Sequence, residues 1–536
     1  MQSIKPALFS LHPFLCRVPG TQVLEFSGVV KMSHKKITDR VSVEISTMGR
    51  RQFMQSAGTL FASALILPLA ACGSGADAAT EPVSPPSPPS PLVSYLAPKE
   101  GGAHVATWMA YGASISAWGN GTGSAEERDM SNSRAVARED LMRIAAQLSR
   151  FEAVKMLVAN EVDKAEAIAN LDKVFNGSGS KNILNPGKII TADGKIFSNG
   201  VTLSPMDRNR IELIVKNDNK SNPNQGINDL WTRDTAPVFS KGSDGKIYGI
   251  DLNFNGWGQE KPRTGLSGWI KDALKASNGV VEQDIDGDKT IAAFINARLG
   301  IAPLSTWLTM EGGAIEVNGL GLAVVAESCI INNNRNPGKT KADFETEIKR
   351  LMGVAKVIWI PGVKAQEITD GHVDFYARFS NDNTILFNWD GGINLDGATK
   401  STDGKNKDAL LAYQAQVASW NAADKLKYLG SANATLNLID LPTPSASVKA
   451  AIAARNPGVS MTERKNFDDT FAAGYVGYYE TNSCILMGQF GDVTADKLAF
   501  DKIQAAYPDR TVIQISTDGI GNGGGTIHCA TQQQIS

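Results

Sequence analysis

Arg134 to Val158 reads RAVAREDLMRIAAQLSRFEAVKMLV, and two periodicities meet inside it. Val136, Leu141, Ile144, Ala145 and Leu148 recur at helical spacing, so Arg134 to Phe151 predicts an amphipathic helix. Ala153-Val154-Lys155-Met156-Leu157-Val158 then reads as a strand. A helix that hands over to a strand within a few residues is the building step of α/β folds. Outward from this stretch the alternation continues. Val238 to Phe254 alternates around Asp244-Gly245, a hairpin signal, and a second hairpin surrounds Asn318-Gly319, between Ala314-Ile315-Glu316-Val317 and the run Leu320 to Val325. Thr384-Ile385-Leu386-Phe387 is a further strand-like run, and helix-like runs cover Lys341 to Met352, Asp408 to Leu429 and Thr494 to Tyr507. Asn176 to Gly200, rich in Gly, Asn, Ser and Lys, reads as an inserted loop. Hairpins alternating with helices put the body in the α/β or α+β class, without a repeat visible at the level of identity.

The beginning has a different character. Gly49-Arg50-Arg51-Gln52-Phe53-Met54-Gln55 precedes an apolar run from Ala57 to Ala71 and then Cys72. Two arginines, a short hydrophobic region and small residues before a cut site describe an export signal. Arg50-Arg51 with Phe53 resembles a twin-arginine signal, and Leu69-Ala70-Ala71-Cys72 resembles a bacterial lipobox whose cysteine is lipidated. Translation starting at Met32 or Met48 would leave this signal intact. Pro82 to Pro91 is dominated by proline and serine, a semi-rigid spacer with nothing to bury. The expected organisation is a leader over 1–72, a linker over 73–93 and a globular body over 94–536. It describes a bacterial envelope protein held to a membrane by a lipid on Cys72. Gly73, where inner-membrane retention often has an aspartate, favours the outer membrane.

A formal net charge of −2 gives no general attraction to nucleic acid or to an anionic membrane surface. Of five cysteines, Cys16 and Cys72 belong to the leader. Cys329, Cys484 and Cys529 remain, an odd number that leaves at least one free thiol in an exported domain. No CxxC pair suggests structural zinc.

Four segments of the body carry chemistry. Asp229-Leu230-Trp231-Thr232-Arg233-Asp234-Thr235-Ala236-Pro237 sets a tryptophan and a carboxylate just before a strand, a pairing suited to a planar cation. Glu311-Gly312-Gly313 enters the Asn318-Gly319 hairpin. Thr369-Asp370-Gly371-His372-Val373-Asp374, if it enters a strand, points His372 and Asp374 to one face. Gly521-Asn522-Gly523-Gly524-Gly525-Thr526-Ile527-His528-Cys529 delivers a thiol at the end of a glycine-rich loop. Read singly, each has an ordinary structural explanation. Together they offer the Cys529 thiol, the His372 imidazole and the carboxylates of Asp234, Glu311 and Asp374. Carboxylates gathered near a thiolate repel it unless the ligand brings positive charge. A guanidinium does so: two carboxylates accept hydrogen bonds from its nitrogens while the thiolate attacks its central carbon.

These residues also carry a resemblance. Trp231-Thr232-Arg233-Asp234, Phe254-Asn255-Gly256-Trp257-Gly258, Glu311-Gly312-Gly313, Asn334-Arg335-Asn336-Pro337, Gly371-His372-Val373-Asp374 and Gly523-Gly524-Gly525-Thr526-Ile527-His528-Cys529 stand in the order of the agmatine deiminase family, which includes the Porphyromonas-type peptidylarginine deiminases. The resemblance runs from about Ala97 to Gln533. It implies a five-bladed α/β propeller of pseudo-fivefold ββαβ units around a central site. It implies Cys529 as nucleophile, His372 as general acid and base, Glu311 as the group that orients His372, and Asp234 and Asp374 as the grip on the guanidinium. Trp231 and Trp257 would wall the pocket, and no metal or organic cofactor is needed. His528 is expected to be a structural neighbour. Cys329, after Glu327-Ser328 in a segment similar to relatives, is expected as a buried free thiol, with its pairing to Cys484 left open.

The implied reaction is hydrolytic deimination, agmatine to N-carbamoylputrescine first, with peptidyl or free arginine to citrulline as the alternative. Arg263, in Gly258-Gln259-Glu260-Lys261-Pro262-Arg263-Thr264-Gly265, would bind a carboxylate that arginine has and agmatine lacks. Gly477, where many relatives have asparagine, and Gln489, in place of a usual proline, depart from the family pattern. Other readings are amidino transfer to an amine, a lipid-anchored guanidine-binding protein without turnover, and a metal hydrolase using His372, Asp374 and Cys529. Oligomeric state is not legible.

Overall fold

The computed structural model describes residues 93–118, 125–176, 203–216, 226–258, 285–364, 368–393, 399–445 and 471–536. All of them belong to one compact unit, Pro89–Ser536. The leader with Cys72, most of the linker, residues 177–200 of the inserted loop and Arg263 lie outside the described residues.

Five small sheets share one order of construction. In the second along the chain, Val238–Gly242 and Ile247–Ile250 form an antiparallel pair, the helix Ile291–Leu299 crosses over, and Ala302–Leu304 joins parallel to the pair. A parallel neighbour needs such a crossover, since a tight turn can only reverse the chain. The third repeats the order with Ile315–Val317, Leu322–Ala326, the helix Lys341–Met352 and Lys356–Ile360. The fourth uses Ala377–Asn381, Thr384–Trp389, the helices Thr402–Ala418 and Ala422–Leu429, and Asn437–Pro442. The fifth uses Tyr479–Glu480, Cys484–Gly488, the helix Val493–Ala506 and Thr511–Ile515. In the first the last strand of the chain, Gln532–Ile535, supplies the antiparallel partner of His104–Tyr111, with Gln532 opposite Trp108. Ala153–Val158 and Ile211–Val215 then extend that sheet in parallel. The described body is thus mixed α/β, and its two ends are closed on one another by main-chain hydrogen bonds.

Local signals account for most elements. Thr340 and Asp343 form a reciprocal capping box at the start of Lys341–Met352, and Gly353 ends it with a left-handed φ of 68°. Phe344, Ile348, Leu351 and Met352 bury one stripe of that helix against Leu322–Ala326, all five of whose residues are buried. A strand covered on both faces reads as a continuous apolar run, as this one does. The helix predicted over Asp408 to Leu429 is instead two. Asn421 accepts a hydrogen bond from the Asp424 amide (2.8 Å), and this cap starts a second helix. No helix among the described residues is long and apolar enough to cross a membrane.

Candidate active site

The suspect residues occupy equivalent places in different sheets. Each lies in the turn that enters one strand of an antiparallel pair. Asp234 is in the short helix Thr232–Thr235 ahead of Val238–Gly242. Glu311 precedes the 3-10 turn Gly312–Ala314 and then Ile315–Val317. His372 and Asp374 belong to the 3-10 turn Val373–Phe375 and its cap, ahead of Ala377–Asn381. Cys529 lies in the turn ahead of Gln532–Ile535. The expected strand alternation of His372 and Asp374 is therefore not what aims them. Asp370 and Gly371 take positive φ (61° and 93°), turning the chain before it extends, and the 3-10 turn then presents both side chains.

The side chains converge. His372 Nε2 is 3.0 Å from Glu311 Oε2, and its Nδ1 is 3.6 Å from Asp234 Oδ1. Trp257 Nε1 donates to Asp234 Oδ2 (2.9 Å), so this tryptophan holds a carboxylate as well as filling space. Cys529 Sγ lies 3.8 Å from Asp374 Oδ2 and 3.4 Å from Thr526 Oγ1. The centre is marked by Gly313. A Cβ there would stand 2.8 Å from His372 Nδ1, 2.9 Å from Asp374 Oδ2 and 3.0 Å from Asp234 Oδ1. An imidazole and two carboxylates thus crowd the one face of Gly313 on which a side chain would stand. The other Asp374 oxygen, Oδ1, is buried and has no hydrogen-bond partner among the described residues.

Behind the site stands a layer of which the sequence predicts only His528, as a structural neighbour. Arg335 Nε meets both Glu311 oxygens (2.9 and 3.0 Å), its Nη2 donates to Thr369 O (2.8 Å), and its Nη1 faces Asp370 (3.4 Å). His528 bridges Asp374 Oδ2 (2.6 Å) and Glu100 Oε2 (2.7 Å). Arg233, next to Asp234, is buried and pairs with Glu100 (3.0 Å), while its amide donates to Cys529 O (3.0 Å). Arg335 lies inside a quoted motif, and its signal was a charged residue in an otherwise polar-neutral turn. Glu100 gave none.

The glycines of the last loop serve packing more than ligand approach. A side chain at Gly525 would collide with the Trp231 ring, and one at Gly523 with Trp118. Trp231 is buried against this loop. Gly477 abuts Thr526, leaving no space for a side chain there, and its carbonyl accepts from the His528 amide (3.1 Å). Cys329 and Cys484 are both buried and form no disulfide among the described residues, and Cys529 is partly exposed.

Electrostatics follow from this crowding. Burial opposes charge on His372, but Asp234, the Glu311 hydrogen bond and Asp374 outweigh it and raise the ring to about 9. Burial raises Asp234 to about 6; Glu311 and Asp374 add to it, and His372 and Trp257 counter it. Burial also acts to raise Glu311, yet the Arg335 guanidinium and His372 bring it below the ordinary carboxylate range. Cys529 is pushed well above the usual thiol range by burial, with Asp374 and Asp234 adding to the rise. Without a ligand the site holds a neutral thiol, a charged imidazole and a surplus of carboxylate.

A model of the Porphyromonas-type peptidyl-arginine deiminase family matches residues 96–534. The chain belongs to that family. Among curated relatives, a Mycoplasma mycoides protein provisionally named an agmatine deiminase is 29% identical over 306 residues, covering 57% of this chain and 74% of that one. A Shewanella baltica protein of the same provisional name is 28% identical over 306 residues, covering 57% and 73%. Two solved structures share the fold: an agmatine deiminase of Enterococcus faecalis (TM-score 0.54, 19% identity, 83% of this chain and 96% of that one) and a substrate-bound agmatine deiminase of C. jejuni (TM-score 0.55, 16% identity, 83% and 97%). The family resemblance seen in the six motifs is thereby established over the body of the chain.

Proposed function

We propose that this member of the deiminase family hydrolyses a guanidino compound through a covalent intermediate on Cys529, releasing ammonia and a ureido product. The observation that carries the reading is the convergence of His372 Nδ1, Asp374 Oδ2 and Asp234 Oδ1 on one point, with the Cys529 thiol 3.8 Å from Asp374. Two carboxylates beside a neutral thiol and a charged imidazole suit a substrate that arrives as a cation. A bound guanidinium offsets the carboxylate charge that suppresses ionisation of the thiol, so its binding is coupled to release of the thiol proton to solvent. The thiolate attacks the guanidinium carbon, with Asp234 and Asp374 accepting hydrogen bonds from the nitrogens. His372, charged at neutral pH and oriented by Glu311, gives its proton to the departing nitrogen, and ammonia leaves a thiouronium. Neutral His372 then takes a proton from water as the oxygen adds to the same carbon, and collapse of that adduct expels the thiolate.

Agmatine is the first choice of substrate, because the curated relatives carry that name. Peptidyl or free arginine is the second, because the family's own description is a peptidyl-arginine deiminase. Arg263 is assigned as the carboxylate contact in the second case. The five sheets are read as blades of a five-bladed α/β propeller, supported by the shared order of strand pair, helix and parallel strand. A twin-arginine leader, a lipid on Cys72 and a proline-serine tether complete the proposal of an enzyme on the bacterial envelope.

The test is ammonia release from agmatine, arginine and a peptide ending in arginine, by the wild-type chain and by Cys529→Ala. Turnover of one substrate that vanishes in the variant is expected. Turnover that survives Cys529→Ala would overturn the thiol mechanism, and binding without turnover would leave a guanidine receptor.

A further inference from the structure

His528 precedes the nucleophile in sequence, yet its side chain faces away from the reacting point into a buried ionic layer. Its Nδ1 is 2.6 Å from Asp374 Oδ2 and its Nε2 is 2.7 Å from Glu100 Oε2. Each ring nitrogen thus faces a carboxylate oxygen, one of the site and one of the layer behind it. Its main chain is held as well, by the amide bond to Gly477 O. Glu100, the far anchor, is itself fixed. It faces Arg233 (3.0 Å) and Arg378 (2.9 Å) and accepts from the Glu480 amide (3.2 Å). Arg378 also binds Glu316 (2.7 Å), so the cluster of Glu100, Glu316 and His528 already holds its own cations.

Asp374 depends on this arrangement. Among the described residues its Oδ2 meets only His528 and Cys529 as hydrogen-bonding side chains, and its Oδ1 has no partner. A buried carboxylate with a single strong donor takes its orientation from that donor. Burial works to raise Asp374, and the His528 hydrogen bond and charge reverse the direction, leaving it below the ordinary range. We propose that His528 is a positioning residue: clamped between Glu100 and Asp374, it fixes the Asp374 carboxylate as an acceptor for the substrate's guanidinium. The inference rests on the deiminase reading of the site and adds to it a rigid path from the nucleophile's loop to the N-terminal segment that carries Glu100.

The experiment compares two alkylating agents on Cys529 of the full chain, with peptide mass spectrometry to locate the label. 2-Chloroacetamidine carries a planar cation, and 2-chloroacetamide is its neutral counterpart with the same leaving group. The ratio of their second-order rates reads the carboxylate grip separately from thiol reactivity and requires no turnover. The wild type is expected to prefer the amidine. His528→Asn, whose amide nitrogen stands near the Nδ1 position, should keep the ratio within about threefold, and His528→Gln, whose amide reaches towards Glu100 instead, should lower it by about tenfold. Circular dichroism checks that each variant is folded. A wild-type preference that folded His528→Gln keeps, or equal loss in both variants, overturns the positioning role. Should His528→Gln fail to fold, Glu100→Gln takes its place, with a fall in the ratio expected and an unchanged ratio overturning the inference. A wild type with no amidine preference overturns the deiminase reading, and this inference with it.

Discussion

Gly313→Ala adds one methyl group at the centre of the site. Gly313 sits in a 3-10 turn and its φ is not in the left-handed region, so alanine suits its backbone. The new Cβ would stand 2.8, 2.9 and 3.0 Å from His372 Nδ1, Asp374 Oδ2 and Asp234 Oδ1. Non-bonded heavy atoms settle at roughly 3.5–4.0 Å, so each group must recede by about half an ångström or more. None can do so freely. His372 is tied to Glu311, Asp374 to His528 and Asp234 to Trp257. Overpacking of this kind costs about 1–3 kcal/mol of stability, which a body of this size can bear. Function should suffer more, since displacement by about 1 Å costs on the order of a hundredfold in rate, and productive geometry tolerates only about 0.5 Å. The expected outcome is a folded protein whose urea midpoint falls modestly and whose kcat/KM for ammonia release falls about a hundredfold or more. The measurements are a urea titration followed by circular dichroism and a steady-state ammonia assay. Near wild-type kcat/KM in a folded Gly313→Ala variant would refute the claim that the substrate's guanidinium is bound by the three groups that face Gly313.

Two further outcomes follow from the same geometry. The pH profile of kcat/KM should be bell-shaped: Asp234, raised to about 6, becomes neutral below that pH and loses its pairing with a cation, while His372, raised to about 9, is protonated below that pH and loses its role as acid above it. A profile still rising at pH 10 would remove His372 imidazolium from the mechanism. Arg335→Met should destabilise the fold by about 3–5 kcal/mol, because it removes the buried guanidinium shared by Glu311 and Asp370. Urea unfolding measures it, and a loss below about 1 kcal/mol would show that Arg335 neutralises nothing of consequence.

How much of this was legible in the chain depends on the distance over which each cause acts. The helix Lys341–Met352 and the turns at Asp244-Gly245 and Asn318-Gly319 form where the residues predicted them, since a cap or a tight turn is settled by atoms a few positions apart. The split at Asn421 was equally local and went unread, because the helical period continues across it. The chemical types of the site were also present in the motifs: a lone thiol after glycines, a histidine near an aspartate, a glutamate before two glycines.

Their arrangement was not. His372 and Asp374 are aimed by a 3-10 turn after two positive-φ residues, where strand alternation was expected. The partners that set their charge come from far along the chain. Glu100 reaches His528, Arg335 reaches Glu311, and Arg233 lies under Cys529. By itself the sequence determined the family, most local elements and the candidate site residues, because these are encoded in short ordered motifs. Only the tertiary structure decided that turns from separate sheets meet at Gly313, and that burial there holds a thiol neutral while neighbouring carboxylates hold an imidazole charged. Both outcomes depend on desolvation and on charges brought together in space, which no local pattern of residues specifies.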